Sequence, residues 1–195
     1  MPLEIEAKMK AVDLGALREQ LRAIGAERLG ESLETNTYFD TDDHTLKAHD
    51  RGLRVRISRS CETQEKVVYI THKGPRSHGG LKRRSEAEVV VASADEAAAL
   101  LVELGYEPRL TFEKKRERWR IGETDVMIDT LPLLGDWIEI EGPSEAEVVA
   151  VRDQLGLEES PLVKASYVAM LQSYAGEQGL PTDMFRFEQV ESASM

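Results

Sequence analysis

Charged side chains alternate with apolar ones along several segments of this chain, at a spacing that could bind a metal ion and phosphate. Glu-x-Glu pairs occur at residues 4–6, 86–88 and 139–141, and the first continues to Lys8. In a β-strand, residues i, i+2 and i+4 point to one face, so Glu4, Glu6 and Lys8 are expected to lie side by side. Carboxylate oxygens are the ligands that hard divalent cations prefer. Carboxylates beside cations on one strand face therefore predict a site for a divalent metal and phosphate.

Basic residues show the same alternation in other segments. Arg54 and Arg56 alternate with Leu53 and Val55, while Lys73 shares a face with Thr71 and Tyr69. Two longer alternating series are Lys82, Arg84, Glu86, Glu88 and Lys114, Arg116, Arg118. If these faces all point inward, the buried charges need partners or a charged ligand. A polyphosphate with Mg²⁺ or Mn²⁺ meets that need, because Arg and Lys bind phosphate oxygens while carboxylates bind the metal.

The simpler alternative is that these charges form the solvent face of an open antiparallel sheet and pair across strands. For any one strand, such as the segment LKRRSEAE at residues 81–88, this alternative is favoured. The pattern recurs in seven segments, however, and an ordinary exposed face would also carry many Thr, Ser and Gln residues. The recurrence therefore favours a charged interior.

Eight strands and four helices are predicted to carry these residues. Alternating or β-branched stretches occur at about residues 2–10, 27–40, 52–60, 65–74, 81–92, 108–121, 124–131 and 136–142. Helical patterns occur at about residues 13–25, 94–105, 144–156 and 162–175, with Asp13, Ser93 and Ser144 as N-caps. Short turns between strands imply antiparallel pairing. The predicted fold is α+β: an eight-stranded antiparallel β-barrel, or tunnel, with a charged interior and helices packed outside.

Composition limits the partners and the compartment. The chain has 195 residues and a formal net charge of −11, so we expect no binding to nucleic acid or to an anionic membrane surface. Its single cysteine, Cys61, excludes an intrachain disulfide. The first ten residues do not resemble a secretory signal, and no apolar run approaches a membrane span. We therefore expect a cytoplasmic protein, either a monomer or a homodimer.

An ordered set of motifs resembles the CYTH superfamily, the triphosphate tunnel metalloenzymes. The set begins with Glu4-x-Glu6-x-Lys8 and continues with TYFDT (37–41), LRVR (53–56), THKGP (71–75), LKRRSEAEV (81–89), KKRERW (114–119), VMIDTLPLLGDWIEIEG (126–142) and KASY (164–167). The resemblance covers roughly residues 1–174, which we take as one domain, and leaves residues 175–195 as a C-terminal tail. It implies a barrel that binds a triphosphate-containing small molecule together with Mg²⁺ or Mn²⁺.

The resemblance also implies roles for individual residues. The expected metal ligands are Glu4, Glu6, Glu88, Asp129, Glu139 and Glu141. The expected phosphate-binding residues are Lys8, Arg54, Arg56, Lys73, Lys82, Arg84, Arg116, Arg118 and Lys164. Glu4, Glu6, Lys8 and Lys73 are the expected catalytic residues. Some of these assignments are less direct. Lys82, Arg84 and either Glu86 or Glu88 match less closely, because Lys82-Arg83-Arg84 allows a slip of one residue. Arg118 is placed inward by strand alternation alone.

Two reactions fit this scaffold. In a triphosphatase, water attacks the terminal phosphorus of tripolyphosphate, thiamine triphosphate or a nucleotide. In a class IV adenylyl cyclase, the ribose 3′-OH of ATP attacks the α-phosphorus and gives cyclic AMP and pyrophosphate. The motifs are common to both, and a metal-dependent triphosphatase is the preferred hypothesis, with the cyclase as the alternative.

A non-catalytic polyphosphate or nucleotide sensor is a second class. It is disfavoured because none of the seven main charged positions is lost: Glu4, Glu6, Lys8, Arg54, Arg56, Glu139 and Glu141. An acidic interaction domain with an exposed charged sheet is a third. The sequence leaves the substrate, the physiological metal and the role of the tail open. It also leaves open whether Trp137 stacks on a substrate ring or packs under a helix, and whether Tyr38 and Asp40 line the tunnel. Asn36 stands where related sequences often carry Asp.

Overall fold

Eight long strands close into an antiparallel barrel in the computed structural model, which describes residues 3–77 and 81–188, with side chains from residue 5 onward. The strands are β1 Leu3–Lys10, β2 Glu27–Asp40, β3 Gly52–Ser60, β4 Lys66–Ser77, β5 Lys82–Val91, β6 Glu107–Ile121, β7 Thr124–Leu131 and β8 Gly135–Gly142. They are ordered β2-β3-β4-β5-β1-β8-β7-β6, and pairing of β2 with β6 closes the ring. The predicted α+β barrel of eight strands is confirmed.

Five helices accompany the barrel in the described part of the chain: α1 Leu14–Ala23, α2 Thr45–Ala48, α3 Ala94–Glu103, α4 Glu145–Gln154 and α5 Tyr167–Glu177. The side chains of Asp13, Ser93 and Ser144 accept hydrogen bonds from backbone N–H groups of the first turns of α1, α3 and α4, as their N-cap pattern predicts. The sequence patterns did not predict the four-residue α2. The buried Asp40 carboxylate accepts the backbone N–H groups of Leu46 and Lys47 in this helix. Asp40 therefore supports a helix and does not line the tunnel.

Helices cover the barrel where its outer face is apolar. On β1, the residues that alternate with Glu6 and Lys8 are Ile5, Ala7 and Met9, and all three are buried. They share a core with two helices, through Leu17 and Leu21 of α1 and Val148 and Val151 of α4. Ala97 and Leu101 of α3 pack in the same way on Leu53 and Val55 of β3. Burying these outward faces leaves the alternate, charged residues facing the interior.

Helix α5 packs against aromatic residues of β6 and β8. Tyr167 and Leu171 share a core with Leu110, Phe112, Leu131 and Trp137. The rings of Tyr167 and Trp137 meet edge to face, with centroids 6.3 Å apart. Trp137 therefore packs under a helix, which decides between the two alternatives that the sequence left open.

The described part of the tail is docked on the same core. A short strand, β9 (Met184–Phe185), pairs in parallel with Thr111 and Phe112 of β6. The side chain of Phe185 is only 2% exposed and lies in the core of α5. The boundary between a domain at residues 1–174 and a tail at 175–195 remains a prediction; α5 itself continues to Glu177.

Among the described residues, none of the helices has the length and apolar character needed to cross a membrane.

Candidate active site

The barrel encloses a cavity of about 460 Å³ whose wall is formed largely by charged side chains. The cations that line it are Lys8, Arg54, Arg56, Lys73, Lys82, Arg84, Lys114, Arg116 and Arg118. Facing them are carboxylates that include Glu6, Glu34, Glu86, Glu88, Glu139 and Glu141. Almost all of these residues were predicted to face inward, and they come from seven different strands. The fold thus brings together residues that are far apart in the sequence.

Strands β1 and β8 form the carboxylate-rich part of the wall. Their register places Glu6 opposite Glu141 and Lys8 opposite Glu139. The Lys8 ammonium is 3.1 Å from Glu139 Oε1 and 3.7 Å from Glu6 Oε1, with its side chain only 2% exposed. Burial alone would lower the pKa of Lys8, but Glu139 and Glu6 outweigh it and raise that pKa. Lys8 is therefore a fixed positive charge at physiological pH.

The beginning of α5 holds Lys8 from the other side. Lys8 Nζ donates a hydrogen bond to the carbonyl oxygen of Ala165 (3.1 Å) and lies 4.1 Å from the centroid of the Tyr167 ring. The chain before α5 is anchored to β1 through the backbone N–H of Val163, which donates to the carbonyl of Lys8. The KASY segment thus completes the tunnel wall next to Lys8.

Asp129, one of the expected metal ligands, is not among the described residues that line the cavity. It is fully buried and accepts hydrogen bonds from Arg116 Nε (2.6 Å) and Lys114 Nζ (3.3 Å). Arg116 also contacts Glu139, and these carboxylates overcome the effect of burial and raise the pKa of Arg116. Burial and the neighbouring Arg116 lower the pKa of Lys114. Asp129 therefore acts in this structure as a counterion that orients two cations.

A second network joins β3, β4 and β5. Arg54, Thr71 and Glu88 lie directly opposite one another in the two strand registers. The buried Thr71 hydroxyl donates to Glu88 Oε2 at 2.6 Å, and Arg56 Nη2 donates to the same oxygen at 2.7 Å. Glu88 is consequently bound by a hydroxyl and a guanidinium, on a different part of the wall from the Glu6 and Glu139 carboxylates.

The β5 residues settle the register that the sequence left ambiguous. Lys82 and Arg84 face the cavity, whereas Arg83 points outward and pairs with Glu145 of α4. Lys82 Nζ donates to Glu6 Oε1 at 2.8 Å. Lys73 of β4 forms an ion pair with Glu86 of β5 at 2.5 Å. The alternation from Lys82 to Glu88 is thus the inward one.

Several expected site residues lie at the margin of this arrangement. Lys164 is exposed and borders a small space beside Glu6, Lys8 and Lys82, not the main cavity. Arg118 does line the cavity, but its side chain is 47% exposed and pairs with Asp125. The side chain of Glu4 lies outside the described part of the structure. In the strand register, Glu4 pairs with Arg84.

Sequence reasoning missed several cavity carboxylates: Glu31, Glu62, Glu65 and Asp125. It also missed Glu34 of β2. It is 3% exposed, and its register partners are Ser58 on β3 and Lys114 on β6. Glu34 shares its strand alternation with Tyr38, which also lines the cavity, so strand parity was a signal that could have found it. Asn36 lies between them, fully buried, and neither its Nδ2 nor its Oδ1 has a hydrogen-bond partner among the described residues. It does not line the cavity.

The donor set of β1 and β8 fits a hard divalent cation. Among the residues with described side chains, no group of three His, Cys, Asp or Glu residues converges on one metal-binding point. Glu6 and Glu139 nevertheless already share one cation, the Lys8 ammonium, and both present carboxylate oxygens. Oxygen donors that jointly attract a positive charge are the chemistry that Mg²⁺ and Mn²⁺ require.

Comparison with known proteins gives a consistent result. The family model described as the CYTH domain matches residues 2–167 of the chain. A protein named adenylate cyclase CyaB, from Aeromonas hydrophila, is 30% identical over 174 residues, which cover 84% of this chain and 86% of that protein.

Solved structures share the fold. A protein from Pyrococcus horikoshii OT3 superposes with a TM-score of 0.76 at 26% identity, over 87% of this chain and 98% of the other. A protein from Hippeastrum, described as a putative adenylyl cyclase with a dominant triphosphatase activity, superposes with a TM-score of 0.64 over 93% of this chain and 97% of that one. At 17% identity, the second likeness supports the fold alone.

Proposed function

Because the chain belongs to the CYTH domain family, we propose that it is a metal-dependent enzyme that hydrolyses a triphosphate inside the barrel. The substrate class comprises tripolyphosphate, thiamine triphosphate and nucleoside triphosphates. The observation that carries the proposal is the ring of inward cations from Lys8 to Arg118 that surrounds one cavity beside the carboxylates of Glu6 and Glu139. A polyanion is the ligand whose charge such a ring complements.

The residues of β3 and β6 suit the task of holding the phosphates. Arg54, Arg56 and Arg116 present planar guanidinium groups that bind phosphate oxygens in pairs. Glu88 and Asp129 fix the orientation of Arg56 and Arg116 before the substrate arrives. Phosphoryl transfer depends mainly on such positioning and on stabilising charge that develops on the phosphate oxygens. These arginines therefore bind the chain of phosphates in line and stabilise the transition state.

Lys8 and Lys73 are placed to act on the reacting phosphate. Both line the cavity, and Lys8 is held between Glu139, Glu6 and the Ala165 carbonyl. A fixed ammonium at this position neutralises charge on the phosphate that is attacked. Glu6, Glu139 and Glu141 would hold the metal, with Glu4 as the neighbouring carboxylate on β1. When bound, a divalent metal neutralises phosphate charge and orients the attacking water.

The cyclase reaction is a second candidate, supported by the name of the Aeromonas hydrophila relative at 30% identity. It would use the same cation ring, but with the ribose hydroxyl of ATP as the nucleophile. The two reactions release different products, so a product assay separates them.

The test is an assay of purified protein with tripolyphosphate, thiamine triphosphate or ATP, in Mg²⁺ and separately in Mn²⁺, with products resolved by ion-exchange chromatography. Release of orthophosphate that EDTA abolishes is the expected result. Cyclic AMP with pyrophosphate would instead establish the cyclase. If neither product forms and tripolyphosphate only raises the melting temperature, the protein is a sensor and the enzyme proposal is wrong.

A further inference from the structure

Glu34 is a carboxylate on the wall opposite the proposed metal ligands. Its strand, β2, lies four strands from β1 in either direction around the barrel. Glu34 lies instead among the cations proposed to bind phosphate: its Oε1 is 3.6 Å from Arg56 Nη1 and its Oε2 is 3.5 Å from Lys114 Nζ. A negative charge here opposes the binding of a polyanion, so its presence calls for a functional explanation.

The contacts of Glu34 are looser than those of the other buried carboxylates. Glu6, Asp129 and Glu139 each accept at least one hydrogen bond from a cation in this wall. Glu34 Oε2 is buried but accepts none among the described residues. Buried carboxylates are normally hydrogen-bonded, because an unpaired one loses its hydration without compensation. Glu34 is therefore held through longer ion pairs with Arg56 and Lys114.

That charge is strong enough to keep Glu34 ionised. Burial would raise its pKa, but Lys114, Arg116, Arg56 and Arg54 together lower it far below the usual range. The same four cations line the cavity, and each has another contact. Arg56 donates to Glu88, Lys114 and Arg116 donate to Asp129, and Arg54 contacts the hydroxyl of Thr71. A bound phosphoryl group would compete with Glu34 for them.

From these contacts we infer that Glu34 is an internal competitor for the triphosphate, which sets how tightly the tunnel binds its substrate and its phosphate product. In the ligand-free protein, the carboxylate partly neutralises the four cations. When the polyanion binds, Glu34 is repelled by it, and this repulsion weakens the complex and favours release of product. The inference builds on the proposed function, since it assumes that the cation ring receives phosphate.

The experiment measures binding in EDTA, so that metal-dependent turnover does not interfere. Tripolyphosphate and pyrophosphate are titrated calorimetrically into the wild type, Glu34→Gln and the control Glu27→Gln. Glu27 lies on the same strand but is exposed and outside the cavity. Because Gln keeps the shape and removes the charge, Glu34→Gln is expected to bind both anions about tenfold or more tightly, with a smaller gain at high salt. Glu27→Gln is expected to match the wild type.

Other results would overturn the inference. Equal or weaker anion binding by Glu34→Gln would show that the carboxylate does not compete with phosphate. A further variant, Glu34→Asp, keeps the charge, and its affinity is expected to stay near that of the wild type; tightening as large as in Glu34→Gln would make shape the cause. If Glu34→Gln is unfolded in buffer, its folding is compared in tripolyphosphate and in chloride at equal ionic strength. Folding in tripolyphosphate but not in chloride supports the inference. Failure to fold in both overturns it.

The binding experiment distinguishes failure of the inference about Glu34 from failure of the proposed function. If the wild type turns over a triphosphate but Glu34→Gln does not bind the anions more tightly, the inference about Glu34 is wrong and the proposed function stands. Tighter binding by Glu34→Gln in a protein without turnover keeps Glu34 as the competitor and removes the enzyme proposal.

Discussion

Lys8 and Glu139 face each other across the ladder between β1 and β8, with the Lys8 ammonium 3.1 Å from Glu139 Oε1. The two residues are 131 positions apart in the sequence, so only the pairing of β1 with β8 brings them together. Lys8 neutralises the carboxylates that are proposed to hold a metal, and it lies in the cavity proposed to hold phosphate. This one ion pair therefore links the two halves of the proposed site.

Glu6→Gln is predicted to reduce turnover of a triphosphate by roughly 100-fold or more while the fold survives, because the amide is a poor ligand for a hard cation. Steady-state rates over a range of Mg²⁺ and Mn²⁺ concentrations measure the loss. Circular dichroism and the melting temperature check the fold. A wild-type rate for this variant would remove Glu6 from the site.

Lys8→Ala is expected to lose turnover to a similar degree, since the variant lacks the ammonium between Glu6 and Glu139. A suitable control is Lys115→Ala, because Lys115 does not line the cavity and its ammonium lies 5.2 Å from the centroid of the Phe187 ring. Equal loss in both variants would indicate a general effect of charge and would contradict a specific role for Lys8.

Arg116→Met is predicted to destabilise the protein by about 3–5 kcal/mol, because it leaves the fully buried Asp129 without its main partner. Arg118→Met on the same strand is the matched control. Its side chain is 47% exposed, so loss of its ion pair with Asp125 should cost no more than about 1 kcal/mol. Urea unfolding at neutral pH measures both free energies. Similar losses of unfolding free energy in the two variants would contradict the role of Asp129 as a buried counterion that depends on Arg116.

Acid is predicted to destabilise the barrel through Glu34 and Glu139. Nearby cations hold the pKa of each carboxyl below its usual value in the folded state. A carboxyl with a lowered folded pKa contributes stability above its unfolded pKa, about 4.3, and loses that contribution as pH falls further. The melting temperature should therefore decline below about pH 4. The decline should be shallower in Glu34→Gln, and parallel curves would contradict a contribution from Glu34.

Phe185→Ala is predicted to cost about 3–5 kcal/mol, because the ring is 2% exposed and packs in the core of α5. Met184→Ala tests the specificity of the effect, since Met184 is 42% exposed. Thermal or urea unfolding measures both. If the two variants are equally stable, the tail does not support α5.

Much of the site could be predicted from alternation within single strands. The Glu6–Lys8 and Arg54–Arg56 series each alternate with apolar residues, and those apolar faces are buried under helices. The Lys114–Arg118 series also alternates, although the opposite face of β6 carries Lys115 and Glu117 as well as Trp119. Arg83 and Arg84 show where this reasoning stops. Both are basic neighbours, and only the pairing of β5 with β1 turns Arg84 inward and Arg83 toward α4.

Other features needed more than a local signal. Strand parity places Glu34 on the same face of β2 as Tyr38, but its importance depends on Arg56 and Lys114 from adjacent strands. The strand β9 has only two residues and forms because β6 offers it a backbone edge and a core. Trp137 alternates with Glu139 and Glu141 on β8 and so shares their strand face, but its ring packs against Tyr167 of α5.

The sequence by itself determined the eight strands and which residues share a face of each, because side chains alternate across a strand wherever it lies. Only the tertiary structure decided which charges meet. Ion pairs such as Lys8–Glu139 and loose contacts such as Glu34–Lys114 depend on the register between strands, and register is set by the packing of the whole barrel.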